Sequence, residues 1–285
     1  MLNFSRGRIE GKVEVMDYRS AISFIGGGNM AEALAGGIVR AGILPAELII
    51  ISEPRADRSE YLKQTYGFTT TFENRQAAVG GGTIFLAVKP QVVPGVLGPM
   101  ADSLGKEKLV ISVAAGVSLS YLQQRLPGTP VIRAMPNTPA LLGCGATVIS
   151  PGRGVQADMT HWAVELFKAV GSCHILPEDL MDAVTGLSGS GPAYIFRMAE
   201  ALTEAGMAEG IPEETAGELV RQTILGAARM MVETGKTPTQ LREMVTSPGG
   251  TTQAGMESME ESNFDESVVE AVMAAAKRAR ELGSS

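Results

Sequence analysis

Residues 22–31 read Ile22-Ser23-Phe24-Ile25-Gly26-Gly27-Gly28-Asn29-Met30-Ala31, and this stretch decides the fold. A β-favouring run ends in Gly26-x-Gly28-x-x-Ala31 and passes into an amphipathic helix through Ala41. Gly26 permits a tight turn, Gly28 leaves room for a pyrophosphate beside the backbone, and Ala31 keeps the helix close to the sheet. The helix N-terminus then offers free N–H groups and the positive end of its dipole to phosphates. Strand, glycine turn and helix in that order predict a dinucleotide site.

Outward from this turn the same texture repeats. Short β-rich runs stand at 21–25, 48–52, 83–88, 109–113, 131–135 and 146–150, separated by helix-like stretches. Several are continuously apolar, the pattern of strands buried on both faces of a parallel sheet. The alternation predicts an α/β fold, a doubly wound Rossmann-like sheet with right-handed crossovers. After about Glu178 the β-runs stop, and 193–209, 212–234 and 264–282 read as helices rich in Ala, Met, Leu, Glu and Arg. The helix from 212 is apolar on more than one side, with Val220, Ile224, Leu225, Ala228, Met230, Met231 and Val232. That excess implies cover by a second subunit. The expected organisation is an N-terminal extension at 1–19, a dinucleotide-binding domain at 20–178 and an all-α dimerisation and substrate domain at 179–285.

In an open parallel sheet, ligands bind beyond the carboxyl ends of the strands. The second run ends in Ser52-Glu53-Pro54-Arg55. Glu53 stands where an acid hydrogen-bonds the adenosine ribose hydroxyls of NAD, whereas Arg55 can pair with the 2′-phosphate of NADP. The two residues point to opposite cofactors, and the sequence leaves NADH and NADPH both open. Ala87-Val88-Lys89-Pro90, Ala114-Ala115-Gly116 and Met135-Pro136-Asn137-Thr138-Pro139 follow three further runs on the same expected edge. Pro90 and Gly116 suit close packing against a cofactor, and Lys89 reads as a phosphate or ribose neighbour. Asn137 offers a donor and an acceptor to a nicotinamide amide or a small polar substrate.

Composition excludes several classes. The chain has 285 residues, 45% hydrophobic and 19% charged, enough for a sizeable core. Its net charge of −7 argues against nucleic acid or an anionic membrane as partner. The longest uncharged run, 134–152, is interrupted by Pro136, Pro139 and Pro151, so no membrane span is expected. The opening residues alternate charges without an apolar core, unlike a signal peptide. Two cysteines, Cys144 and Cys173, give no disulfide framework and point to a reducing, cytoplasmic setting. Two histidines, His161 and His174, are too few for an imidazole-rich site, and no metal is expected.

The strand-end loops, together with Ala183-Val184-Thr185-Gly186-Leu187-Ser188-Gly189-Ser190-Gly191-Pro192-Ala193-Tyr194 and Ser247-Pro248-Gly249-Gly250-Thr251-Thr252, resemble the pyrroline-5-carboxylate reductase family. The resemblance runs from about Ala21 to Leu282, and the family begins near Met16. It implies reduction of 1-pyrroline-5-carboxylate to L-proline with NADPH or NADH, the last step of proline biosynthesis. It carries cofactor contacts to Ile25, Gly26, Gly27, Gly28, Asn29 and Met30, to Glu53 and Asn74, and to Ala87–Pro90 and Ala114–Gly116. It places the substrate loop at Ser247–Thr252. Some members carry a small hydroxylic residue where Glu53 stands, which suits NADP. The resemblance also implies homodimers that assemble into a homodecamer.

The matched loop is physically suited to that task. A Pro/Gly turn entering a helix at 253–261 aims backbone N–H groups at one point, a carboxylate site without a basic side chain. A protonated cyclic imine is already electrophilic, so the site mainly positions it. Thr252 is expected to hydrogen-bond the ring nitrogen, or else to cap the helix. Ser247 and the amides of Gly249, Gly250 and Thr251 are expected to hold the carboxylate. Three rivals follow from the same residues. A β-hydroxy-acid dehydrogenase would want a lysine on the helix from Pro192, which instead carries Arg197. A non-catalytic nucleotide sensor would have no reason for Ser247–Thr252. A serine hydrolase would use Ser188 in Gly186-Leu187-Ser188-Gly189-Ser190 with His174 and Asp182.

Overall fold

The computed structural model describes residues 17–283; the expected extension lies outside them up to residue 16. The described chain forms two compact units, 17–181 with 281–283, and 182–280. The first alternates β1 (Ile22–Ile25), α1 (Asn29–Arg40), β2 (Ile49–Ser52), α2 (Ala56–Tyr66), β3 (Thr69–Thr71), α3 (Asn74–Gly80), β4 (Thr83–Leu86), α4 (Val93–Ala101), β5 (Leu109–Ser112), α5 (Leu119–Arg125), β6 (Val131–Met135), β7 (Gly145–Pro151), α6 (Ala157–Lys168) and β8 (Gly171–Ile175). Among the described residues the strands form one sheet in the order β3-β2-β1-β4-β5-β6-β7-β8. The order reverses between β1 and β4, where a doubly wound sheet opens its ligand crevice.

The continuous apolar runs are buried on both faces, as their pattern predicts. On one face Phe24 stacks on Phe85 at 4.7 Å, and Leu34 of α1 and Phe167 of α6 join them. On the other, Ile25, Ile84 and Leu86 pack with Leu97 of α4 and Leu122 of α5. Tyr18 belongs to this unit: its carbonyl accepts the Thr83 hydroxyl at 2.7 Å, and its phenol donates to Asp158 at 2.8 Å.

Two strands carry no apolar run. β3 is Thr69-Thr70-Thr71 and β8 is Gly171-Ser172-Cys173-His174-Ile175, both at sheet edges, where one-sided burial removes the demand for apolar residues. β7 runs antiparallel to β6, so the sheet is not wholly parallel. The reason is the connection: residues 136–144 hold only a 3₁₀ turn at Thr138–Leu142, too little for the crossover a parallel pair needs.

The second unit continues from α7 (Met181–Val184) through a π-helical turn at Thr185–Gly189 into α8 (Gly191–Ala208), α9 (Glu213–Thr234), α10 (Pro238–Val245), α11 (Thr251–Glu261) and α12 (Phe264–Gly283). Tyr194 donates its hydroxyl to the Gly186 carbonyl at 3.0 Å, tying the π turn to α8. Gly186 has no room for a side chain, since a Cβ would lie 2.6 Å from the Val272 carbonyl on α12. Within 182–280 only Val184, Gly186, Ala216, Ala276 and Ala279 are buried. Phe196, Leu219, Leu225, Met231, Val232 and Met273 are exposed. The unit therefore has apolar faces and almost no core of its own.

One buried cation holds the sheet unit's edge together. Lys108 is 6% exposed, and its ammonium donates to the carbonyls of Ala78 at 2.6 Å, Val79 at 3.1 Å and Gly81 at 2.9 Å. The first two are carbonyls of the last turn of α3 and the third belongs to its C-cap, Gly81; all lack partners within the helix. Burial lowers the ammonium's pKa from lysine's ordinary value. Lys108→Met leaves these acceptors unpaired and should cost about 3 kcal/mol in urea unfolding. An unchanged midpoint would show that water replaces the ammonium at no cost.

Candidate active site

At the head of β1 the chain turns into α1 within three glycines. Gly26 has φ +97°, and its N–H donates to the Ser52 carbonyl at 2.9 Å. A Cβ there would stand 2.8 Å from the Ala87 carbonyl and 2.9 Å from Val88. The glycine is thus demanded both by its left-handed φ and by β4's closeness. Gly28 differs. It is the extended residue before α1, and a Cβ on it would meet nothing within 4 Å. The open space faces a 12-residue helix with no side-chain cap, whose first-turn N–H groups lack intrahelical acceptors. This cradle fits the diphosphate of a dinucleotide.

Between them, Gly27 is gripped from both sides. Its N–H donates to Glu53 Oε2 at 3.0 Å, and its carbonyl accepts Arg58 Nε at 2.8 Å. Arg58 also pairs with Glu32 of α1, and Glu32 accepts the hydroxyls of Tyr66 at 2.7 Å and Tyr61 at 3.1 Å. Burial alone would raise the Glu32 carboxyl, but hydrogen bonds from Tyr66, Arg58 and Tyr61 outweigh it and hold it below the usual carboxylate range. The hydrogen bond to Glu32, followed by burial, pushes the Tyr66 phenol up to about 12.

The remaining expected cofactor residues lie at the carboxyl ends of neighbouring strands. Glu53 and Arg55 follow β2, and Asn74 opens α3 just beyond β3, where its Oδ1 accepts the Ser52 hydroxyl at 2.7 Å. Ala87, Val88, Lys89 and Pro90 follow β4, and the Ala87 amide returns to the Ile25 carbonyl at 2.9 Å. Ala114, Ala115 and Gly116 follow β5, with Gly116 at φ +75°. Asn137 follows β6, but its Oδ1 accepts the Ala146 amide at 2.8 Å, so its acceptor is committed to joining β6 to β7. Arg58, Glu32, Tyr61 and Tyr66 carried no signal in the sequence, because a clamp across two helices leaves no local motif.

In the helical unit, Ser247-Pro248-Gly249-Gly250 forms the turn that opens α11. Gly249 has φ +69°, its amide donates to Gln253 Oε1 at 2.8 Å, and the Gly250 amide donates to the Ser247 carbonyl at 3.0 Å. Two of the amides expected to hold a carboxylate are thus used within the loop. The first-turn amides of Thr251 and Thr252 have no acceptor inside the helix. The residue before α11 is Gly250, and no side chain caps it, so Thr252 is not the cap.

Comparison with known proteins identifies the family. The model "Pyrroline-5-carboxylate reductase dimerisation" matches residues 178–282, and "NADP oxidoreductase coenzyme F420-dependent" matches 21–116. A pyrroline-5-carboxylate reductase of Synechocystis is 45% identical over 92% of this chain and 98% of its own. The chain belongs to the pyrroline-5-carboxylate reductase family. Among solved structures, that of the Coxiella burnetii reductase superposes with TM-score 0.87 at 41% identity, covering 93% of this chain and 98% of its own. The Plasmodium falciparum enzyme, solved with NADP bound, gives 0.84 at 30% identity, covering 94% and 100%.

Within this family the rival residues find structural work. Ser188 sits in the π turn after a helix, not on a strand-to-helix elbow, and its hydroxyl donates to the Val184 carbonyl at 3.2 Å. Arg197 of α8 makes an exposed ion pair with Glu200 at 3.0 Å.

The two outer glycines should fail differently. Gly28→Ala keeps the fold but fills the cradle, and should weaken dinucleotide binding at least about tenfold by calorimetry. Gly26→Ala strains a left-handed backbone against β4 and should lower the melting temperature first. Equal loss of stability in both would contradict the distinction.

Proposed function

We propose that the glycine turn of the sheet unit binds the nicotinamide coenzyme and that the Ser247–Thr252 loop of the helical unit binds the imine substrate. The chain is an NAD(P)H-dependent oxidoreductase that reduces 1-pyrroline-5-carboxylate to L-proline, the last step of proline biosynthesis. The observation that carries the site assignment is the open backbone cradle at Gly28, heading α1 in a chain 45% identical to a named reductase.

When bound, the nicotinamide supplies a hydride to the carbon of the C=N bond. The chain's own residues position the partners. Ile25–Met30 and the dipole of α1 hold the diphosphate, while Glu53, Arg55 and Asn74 meet the adenosine end. Ala87–Pro90 and Ala114–Gly116 border the crevice toward the nicotinamide, with Asn137 beyond them. The Ser247 hydroxyl and the first-turn amide of Thr251 hold the substrate carboxylate, and the Gly249-Gly250 backbone, its amides engaged on Gln253 and Ser247, shapes the turn that presents them. The Thr252 hydroxyl hydrogen-bonds the ring nitrogen. Because the protonated imine is already an electrophile, no strong protein acid is required.

Thr252→Ala should lower kcat/KM for pyrroline-5-carboxylate at least about tenfold while Thr252→Ser retains most of it. Since no side chain caps α11, the helix should be unaffected. A loss below about twofold would remove Thr252 from the reaction.

The chain is a homo-oligomer, and its exposed apolar helices support pairing through the helical units. We assign homodimers that assemble into a homodecamer, in the cytoplasm. Supporting the compartment, both cysteines are free thiols, and burial pushes Cys173 up to about 11. No helix of the described residues is long and apolar enough to cross a membrane. Light scattering should give ten times the 29.9 kDa chain mass; a monomer would contradict the pairing and a bare dimer the decamer.

A further inference from the structure

The sequence places an acid and a base side by side after β2, and their geometry separates their roles. Glu53 is 5% exposed, and both of its oxygens are engaged. Oε2 accepts the Gly27 amide at 3.0 Å, while Oε1 accepts the Arg55 backbone amide at 3.1 Å and Arg55 Nε at 3.0 Å. A carboxylate held by two backbone amides is fixed in place at the edge of the glycine turn. Arg55 is held less firmly, its side chain being 62% exposed to solvent, and can swing away without disturbing those amides.

The two arginines that follow β2 are each set against a carboxylate. Arg55 is paired with Glu53. Arg58 is spent on Glu32 and on the Gly27 carbonyl. The N-terminus of α2, which would otherwise attract a phosphate, carries Asp57 in its first turn. A ribose diol needs acceptors: Glu53 Oε2 has a lone pair beyond the Gly27 hydrogen bond, and Oε1 regains one when the Arg55 guanidinium swings away. A phosphate in the same place would bring about two negative charges against the buried Glu53 carboxylate. Resting on the coenzyme reading above, we infer that Glu53 discriminates against the 2′-phosphate and that the chain takes NADH in preference to NADPH. Arg55 serves as a movable cover over the carboxylate, not as a phosphate ligand.

The test is calorimetric titration of the full-length protein with NADH and with NADPH, no substrate present, alongside initial rates with each coenzyme. Wild type should bind NADH at least about tenfold more tightly. Glu53→Gln keeps an acceptor for the Gly27 amide and removes the charge, so it tests the charge with the turn supported. Glu53→Ser removes both. Glu53→Gln should raise NADPH affinity, and both variants should compress the preference about tenfold, Glu53→Ser while weakening both coenzymes through the freed Gly27 peptide. Equal or tighter NADPH binding by wild type, or a preference unmoved in Glu53→Gln, would overturn the inference. A selective loss of NADPH affinity in Arg55→Ala would overturn it too, by placing that guanidinium on the phosphate. Wild type that binds neither nucleotide would bring down the coenzyme reading itself, an outcome distinct from a reversed preference.

Discussion

The peptide of Gly27 has to stay in one orientation, because the backbone on either side of it does opposite things. Before it, Gly26 is forced against β4 in a left-handed conformation. After it, Gly28 must hold open space in front of a helix end. A free peptide between two such residues could flip and turn a carbonyl toward the phosphates. Glu53 on the N–H and Arg58 on the carbonyl prevent that flip. Arg58 is itself held by Glu32, which takes two tyrosine hydroxyls. The phosphate cradle is thus built by α1 and by residues following β2, not by glycine content alone.

The helical unit answers to a different constraint. A single copy of residues 182–280 buries five side-chain or backbone positions and leaves several large apolar residues in solvent. At about 25 cal/mol per Å² of apolar surface removed from water, such faces are worth far more covered than exposed. These faces lie within residues 178–282, which the dimerisation family model matches. The π turn is packed within the chain itself, with Gly186 pressed on α12 and Tyr194 fastening it.

Much of the sheet was legible because its central strands are buried on both faces, and burial writes itself into sequence as near-continuous apolar runs. β1, β2, β4, β5, β6 and β7 stand on β-rich, largely apolar runs, several of them interrupted by a single polar residue such as Ser23 or Arg133. β3 and β8 are not legible in this way, since an edge strand of three threonines or of Gly171-Ser172-Cys173-His174-Ile175 looks like a loop. The antiparallel turn of β7 was implicit in the shortness of residues 136–144, a signal of connection length and not of residue type. The glycine turn was readable because tight turns restrict residue identity. The Arg58–Glu32 clamp was not, because any long cation and any acid at those positions would look like ordinary solvated charge. For Asn137 the sequence showed the capacity to hydrogen-bond but not that Ala146 takes its acceptor.

An acidic chain that binds an anionic coenzyme and an anionic imino acid must find positive potential somewhere. In the sheet unit the arginines nearest the turn are neutralised by Glu53 and Glu32, leaving the attraction for the diphosphate to the N–H groups and dipole of α1. In the helical unit the loop that opens α11 has no cation between Ser247 and Gln253, so a carboxylate bound there, as proposed, would meet first-turn amides and hydroxyls. Both proposed sites would thus rely on backbone donors, whose positions are set by φ and ψ and whose charge does not titrate. Hydride transfer rewards this choice, because the two ligands must be fixed relative to each other more than they must be bound tightly. A lysine on a flexible stem would add attraction and lose placement. The glycines at 26, 28 and 249 are the sequence's cost for that placement: Gly26 and Gly249 hold left-handed φ, and Gly28 leaves open space in front of α1.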